Sequence, residues 1–262
     1  MRADTFPYAS RPLNFGHRGA SALAPENTLT SFQKAREAGA DGVELDVMLS
    51  ADGEVVVRHD YELDRTTSGR GRVRDRTLAE LKALDAGAWF GAQFAGERIP
   101  TLREVCAWAD QDMLLNIELK TTDVGRSGLE SRVVALMREF RLERRSLLSS
   151  FNPFSLLRLK RMAPELHTGL LYAADLPILL RRAWLRPVAQ PDALHPHFRM
   201  VDDAYMRWAK GKGYRVNVWT PDEISDLQRL AGLRVNGIIT NRPDRLATVL
   251  QGLGHLPVGG KR

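Results

Sequence analysis

The stretch "NFGHRGASALAPENTLTSFQKAREAGADGVELDV" (Asn14–Val47) decides the fold. It opens on a short apolar run that meets a His-Arg pair, His17 and Arg18, then a glycine, a proline and small polar residues. A helical pattern follows. "TLTSFQKAREAGA" sets Leu29, Phe32 and Ala35 on one face and closes at Gly39, with Asn27 or Thr28 as its N-cap. A second β-branched run, "GVELDV" (Gly42–Val47), completes a strand–helix–strand unit.

The same alternation continues along the chain. Strands are predicted over Leu13–Gly19, Gly42–Val47, Leu114–Lys120, Ser146–Phe151, His167–Ala173, Asp192–Pro196, Arg215–Thr220 and Asn236–Asn241. Amphipathic segments such as "TLREVCAWAD", "GLESRVVALMREF" and "RPDRLATVLQ" lie between them. Eight strands alternating with helices imply an all-parallel sheet closed into a (β/α)8 TIM barrel, with a doubly wound open sheet as the rival. "LPILLRRAWLRP" resembles a membrane-surface helix, with Trp184 among leucines beside Arg181, Arg182 and Arg186. Its place in the alternation makes it the fifth barrel helix.

One segment breaks the rhythm. After Val47 comes a hairpin-like "LSADGEVVVRHD" with Asp52-Gly53 as its turn. A long stretch then runs to Pro100 before the next barrel helix. The chain therefore reads as a single domain over 1–262 with a small insertion after strand two, about 61–99. Long insertions of this kind tend to be functional lids. Within it, Trp89, Phe90 and Phe94 gather among small residues. They could pack the insertion onto the barrel, or roof the mouth and meet the substrate.

Composition narrows the function. The 262 residues are 44% hydrophobic and 27% charged, the profile of a soluble globular protein. The single cysteine, Cys106, cannot form an internal disulfide and sits in an apolar helical context, which fits a reducing, cytoplasmic setting. The N-terminus lacks an apolar signal region and no run is long enough to span a membrane. The net charge of +6 favours anionic ligands. Its cations form no basic tail or aromatic-interleaved stripe, so nucleic acid is not expected as a partner. Nothing in the sequence specifies an oligomeric state.

The reactive residues collect at the C-terminal ends of predicted strands, where barrel enzymes build their sites. His17 and Arg18 end the first. Glu44 and Asp46 end the second and, two residues apart, share one side of it. Glu118 and Lys120 repeat that arrangement on the third, and Asn217 and Trp219 on the seventh. His59 ends the hairpin. Taken singly, each has an ordinary structural reading: a polar strand end, a solvated edge, a simple ion pair. Together, three carboxylates facing one mouth would repel one another without a cation. Oxygen-only donors favour Mg²⁺ or Ca²⁺ over Zn²⁺. Arg18 and Lys120 could hold an anionic oxygen such as that of a phosphate. Two histidines beside it could serve as general base and general acid. "LHPHF" adds His195 and His197, read as loop histidines near the mouth.

The motifs "HRG", "PENT", "GADGVELDV", "VVVRHD", "DRTTSGRG", "IPTL", "LNIELK", "SSFNP", "VNVWT" and "NGIITNRPD", in that order, resemble those of the glycerophosphodiester phosphodiesterase family. The resemblance runs from about Asn14 to Leu246. It implies a TIM barrel with an insertion after strand two, and divalent-metal-dependent hydrolysis of small glycerophosphodiesters to sn-glycerol 3-phosphate and an alcohol. It implies His17 and His59 as the catalytic pair, Glu44, Asp46 and Glu118 as metal ligands, Arg18 and Lys120 as phosphate-contacting cations, and Trp219 as an aromatic against the glycerol. The last strand departs from the family pattern, with Asn236 and Asn241 where Asp is usual; neither is a motif acid. Two other readings stand beside this one. A lysophospholipase D would keep the chemistry and change the substrate. A non-catalytic ion-binding barrel would have no use for both histidines.

Overall fold

The computed structural model describes residues 6–109, 112–121, 128–175, 183 and 185–254. Eight parallel strands form a closed ring: β1 (Leu13–His17), β2 (Gly42–Leu49), β4 (Leu114–Leu119), β5 (Ser146–Ser150), β6 (His167–Tyr172), β7 (Ala193–Pro196), β8 (Arg215–Trp219) and β9 (Gly237–Thr240). Pairing of β1 with both β2 and β9 closes the ring, so the barrel reading holds and the open sheet does not. The remaining strand, β3 (Val55–Val57), lies outside and runs antiparallel to β2.

Helices cover the ring: α1 (Leu29–Glu37), α3 (Leu102–Ala109), α4 (Leu129–Glu139), α5 (Pro153–Met162), α7 (Asp203–Gly211), α8 (Ile224–Gly232) and α9 (Pro243–Gly252), with a short turn, α6 (Arg186–Ala189), before β7. Strands covered on both faces must be apolar almost throughout, and β2 and β4 show only one residue that is not fully buried, Leu49. Phe32 and Ala35 of α1 are fully buried in the main core with Val43 and Leu45 of β2. Most of the "LPILLRRAWLRP" segment, including Arg181, Arg182 and Trp184, lies outside the described residues.

Boundaries differ from expectation where side chains intervene. The first strand ends at His17 rather than Gly19, because Arg18 and Gly19 turn the chain. Thr28 is the N-cap of α1, its hydroxyl accepting from Ser31 N at 3.1 Å. Asn27 instead donates to Asp46 Oδ2 at 3.0 Å.

The insertion carries α2 (Leu78–Ala83), held at its start by a reciprocal cap between Thr77 and Glu80. It has its own apolar cluster, in which Leu63, Val73, Leu81 and Ile99 pack on Met48 and Val56 of the hairpin. Buried Arg58 ties its first turn down, donating to Glu62 O at 2.8 Å and Thr66 Oγ1 at 2.6 Å. The Asp85 carboxylate accepts from the backbone of Gly87, Ala88 and Gly96 at 2.6–2.8 Å and so shapes the aromatic loop.

Candidate active site

Strand register brings the site together. His17 lies level with Glu44 across β1 and β2, and Asp46 lies level with Glu118 across β2 and β4. One carboxylate oxygen from each of Glu44, Asp46 and Glu118 lies within 4.8 Å of the others, and all three side chains are buried. No other such cluster occurs among the described residues.

The turn after β1 aims Arg18 at these acids. Arg18 adopts φ 52° and Gly19 φ 86°. A left-handed conformation in a non-glycine residue costs on the order of 1–3 kcal/mol. The surroundings hold it: Asn27 N and Ser31 Oγ both donate to Arg18 O, at 2.9 and 3.0 Å. A Cβ on Gly19 would fall 2.4 Å from Ser31 Oγ, so only glycine lets this turn rest on α1. As a result Arg18 N donates to Glu44 Oε2 at 3.0 Å. The guanidinium donates to Glu26 Oε1 at 2.9 Å and lies 3.5 Å from Asp46 Oδ2. Its Nε is buried without a hydrogen-bond partner. Lys120, just past β4, lies 3.1 Å from Glu118 and 3.6 Å from Asp46.

These contacts divide the three acids. Burial would raise Asp46, but Lys120 and Arg18 outweigh it, and Asp46 stays below the usual carboxylate range. Glu44 is pushed well up by burial and then by the charges of Asp46 and Glu118. Glu118 is pushed up to about 7, by burial first, despite the ammonium of Lys120. Two cations thus satisfy one of three buried acids, and the other two resist ionising until a further positive charge is present. An all-oxygen donor set short of positive charge fits a hard divalent cation.

Both histidines have one ring nitrogen fixed. His17 Nδ1 lies 2.6 Å from Asn241 Oδ1. The amide of Asn241 is oriented from behind, because its Nδ2 donates to Asp222 Oδ2 at 2.6 Å. Asp222 is itself fixed by Thr240 Oγ1 and Asn241 N, both at 2.9 Å. Asn241 therefore presents its oxygen, and His17 Nδ1 must carry the hydrogen. That leaves Nε2 as the basic nitrogen, 3.9 Å from Glu44 Oε2. Burial, and then Arg18, lower the His17 pKa to about 4. His59 Nδ1 faces Asp60 Oδ1 at 2.7 Å. Asp60 is braced by Arg65 Nε at 2.6 Å, and Arg65 reaches on to Glu26. Burial also lowers His59, against the pull of Asp46. Glu26 thus joins Arg18 to the insertion. Asn241, which carries none of the motif chemistry in the sequence, proves to be the residue that orients His17. Its signals in the sequence were its place at the end of the last predicted strand and an Asn where the family usually has Asp.

Trp219 ends β8 at the mouth. Its indole donates to His195 O at 2.8 Å, and its ring meets Phe151 and His197 edge-on at 5.7 and 5.3 Å. His197 is at the mouth, as expected. His195 is not a loop residue. It lies within β7, fully buried, with its Nε2 3.0 Å from Asn217 Nδ2. Burial drives its pKa down to about 3. A neutral, enclosed ring of this kind makes no pair with His197 for a metal. On the insertion, Trp89, Phe90 and Phe94 form an edge-to-face series with spacings of 5.5 and 5.4 Å. None of the three is buried, and Trp89 is 41% exposed.

Comparison with known proteins finds relatives over nearly the whole chain. Residues 17–245 match the model of the glycerophosphoryl diester phosphodiesterase family. A glycerophosphodiester phosphodiesterase of Caldanaerobacter subterraneus is 44% identical over 242 residues, covering 92% of this chain and 98% of the relative. An Oleispira antarctica phosphodiesterase, solved in complex with the product sn-glycerol-3-phosphate, superposes with a TM-score of 0.80 at 35% identity, covering 92% of this chain and 97% of its own. A glycerophosphodiester phosphodiesterase of Agrobacterium tumefaciens superposes with a TM-score of 0.79 at 30% identity, covering 90% and 99%.

Proposed function

The chain belongs to the glycerophosphoryl diester phosphodiesterase family, and from that premise we propose that its barrel mouth hydrolyses glycerophosphodiesters to sn-glycerol 3-phosphate and an alcohol with a divalent cation, Mg²⁺ or Ca²⁺. One observation carries the reading: three buried carboxylates within 4.8 Å of one another, short of positive charge, stand beside two histidines that each have Nδ1 engaged. Glu44, Asp46 and Glu118 would hold the cation. When bound, it supplies positive charge against a phosphoryl oxygen.

The chain's own residues do the rest. The guanidinium of Arg18 and the ammonium of Lys120 stand beside the acids, so negative charge built up in the transition state is met by cations already in position. His17 and His59 each keep Nε2 for proton exchange. One takes the proton of the attacking hydroxyl and the other protonates the departing alkoxide. Both are neutral before substrate binds, and an arriving phosphate brings negative charge that favours their protonated forms. Trp219, held by Phe151 and His197, is suited to lie against the glycerol. The aromatic loop shaped by Asp85 would serve as the lid over the alcohol side. The free thiol of Cys106 suits a reducing, cytoplasmic setting. Among the described residues no helix is long and apolar enough to cross a membrane.

A second substrate class, lysophospholipids, is favoured by one feature, the exposed Trp89 with Phe90 and Phe94 behind it, which an acyl chain could lie along. Product analysis separates the two. Glycerophosphocholine, glycerophosphoethanolamine and lysophosphatidylcholine are each offered with Mg²⁺, with Ca²⁺ and with EDTA. Release of sn-glycerol 3-phosphate from the first two, dependent on metal, is expected. No turnover of any of the three would overturn the reading, and would leave an ion-binding barrel in its place.

A further inference from the structure

The N-terminal end of the barrel, opposite the mouth, carries a second concavity of about 1410 Å³. Its walls come from the connections that lead into β5, β6, β7 and β8. Seven lysines and arginines and three acids line it, an excess of four, where the whole chain has an excess of six. Two of the acids are already engaged. Asp192 pairs with Lys160 and also accepts from Thr168 N at 2.8 Å, and Glu165 pairs with Arg138 at 2.6 Å. Only Glu143 remains to balance Arg141, Arg144, Lys210 and Lys212, which are exposed and make no ion pair among the described residues.

Folding does not require these cations. The barrel end beneath them is sealed by apolar side chains, Phe6, Leu13, Leu147 and Ala193 among them. Like charges gathered round a hollow repel one another and focus a positive field into it. A flat bilayer cannot enter a concavity, whereas a compact polyanion can. Half-buried Tyr214 lines the same hollow, and Arg215 stacks over the ring of Tyr8 at 5.3 Å. We infer that this cleft binds a ligand bearing consecutive phosphate groups, either an inorganic oligophosphate or a nucleoside polyphosphate, at a site separate from the mouth.

The test is calorimetric titration of the full chain at low salt in EDTA, with tripolyphosphate and, separately, ATP. One saturable site is expected. Its Kd should rise at least tenfold in Arg144→Glu/Lys212→Glu and, independently, in Arg141→Glu/Lys210→Glu, so that a folding defect in one variant leaves the other as the measurement. Equal affinities for the two ligands assign recognition to the phosphate chain alone. Tighter binding of ATP that is lost in Tyr214→Ala assigns it to a nucleoside polyphosphate. The inference is overturned if neither ligand saturates, if both double variants bind as the wild type does, or if sn-glycerol 3-phosphate displaces the ligand, which would place it at the mouth. Binding of a single-stranded oligonucleotide in the absence of binding by either small polyphosphate overturns it too.

Discussion

Glu118→Gln should make the metal-free protein more stable at neutral pH while crippling its activity. Glu118 is buried, and its pKa is pushed up to about 7 from an ordinary 4.5, by burial first. The folded state therefore holds this proton more tightly than the unfolded chain does. The stability this contributes is complete below pH 4.5 and is lost as pH rises through about 7. At about 1.4 kcal/mol for each tenfold change in proton affinity, the loss amounts to about 3 kcal/mol. For a chain of this size that is about 6 °C of melting temperature.

Glutamine has the shape of the protonated acid and does not titrate. In EDTA the variant should match the wild type near pH 4.5, and a gap of up to about 6 °C in its favour should open by pH 8. Comparing two proteins cancels the opposite contribution of His17. Its pKa is lowered to about 4, so its share is present above pH 6.5 and is lost as pH falls. Mg²⁺ should close or invert the gap, because only the wild type offers all three carboxylates. Thermal melts across pH, with and without metal, give the answer. Parallel curves in EDTA, with no gap opening between pH 4.5 and 8, would refute the idea that uncompensated charge is stored in this cluster.

Four further outcomes follow from the same geometry. EDTA should abolish turnover and added Mg²⁺ or Ca²⁺ should restore it; undiminished turnover in EDTA would remove the metal from the scheme. His17→Ala and His59→Ala should each lower kcat by about 10²–10⁴-fold in a folded protein, each erasing one limb of a bell-shaped pH profile, and a His59→Ala enzyme with both limbs intact would end the two-histidine scheme. Asn241→Leu should lower kcat with little change in KM, while Asn241→Asp combined with Asp222→Asn, which keeps an acceptor for His17 Nδ1 and a donor behind it, should restore most of it; equal losses in both would mean that Asn241 does not orient the ring. Phe90→Ser should raise KM for lysophosphatidylcholine far more than KM for glycerophosphocholine if the aromatic loop receives an acyl chain, and an unchanged ratio of the two would remove that role from Phe90.

What could be read from the sequence was what depends on neighbours along the chain. Strands buried on both faces must be apolar runs, and "GVELDV" and "LLNIEL" are such runs. The E-x-D and E-x-K spacings place their side chains on one side of a strand whatever lies opposite, so Glu44, Asp46, Glu118 and Lys120 could be grouped before any pairing was known. Three features depend instead on closing the ring. His195 lies near the end of a short predicted strand beside His197, and nothing along the chain marks it as enclosed. It is enclosed because Gly169 on β6 leaves room, where a Cβ would lie 2.4 Å from its Nε2. The basic cleft is assembled from four connections, each with an ordinary run of charge. His17 meets Asn241 across 224 positions, and only through the pairing of β1 with β9.

That last contact explains why the site stands at the seam of the barrel. The cation donors come from β2 and β4, but the partner that fixes the tautomer of His17 arrives on β9, and Asp222, which orients that partner, leads out of β8. A chain that formed every strand but failed to close between β9 and β1 would keep the acidic cluster and lose the oriented histidine. Metal affinity and turnover should therefore separate in variants that loosen this seam. Asn14 offers the lesion. It lies on β1 away from the mouth, and its amide donates to Pro243 O at 2.9 Å and to Gly39 O at 3.4 Å, joining α9 and the end of α1 to β1. Asn14→Ala removes those bonds without touching a donor to the cation. A loss of kcat at unchanged metal affinity is the expected result, and equal losses in both would mean that the two halves of the site are not mechanically separate.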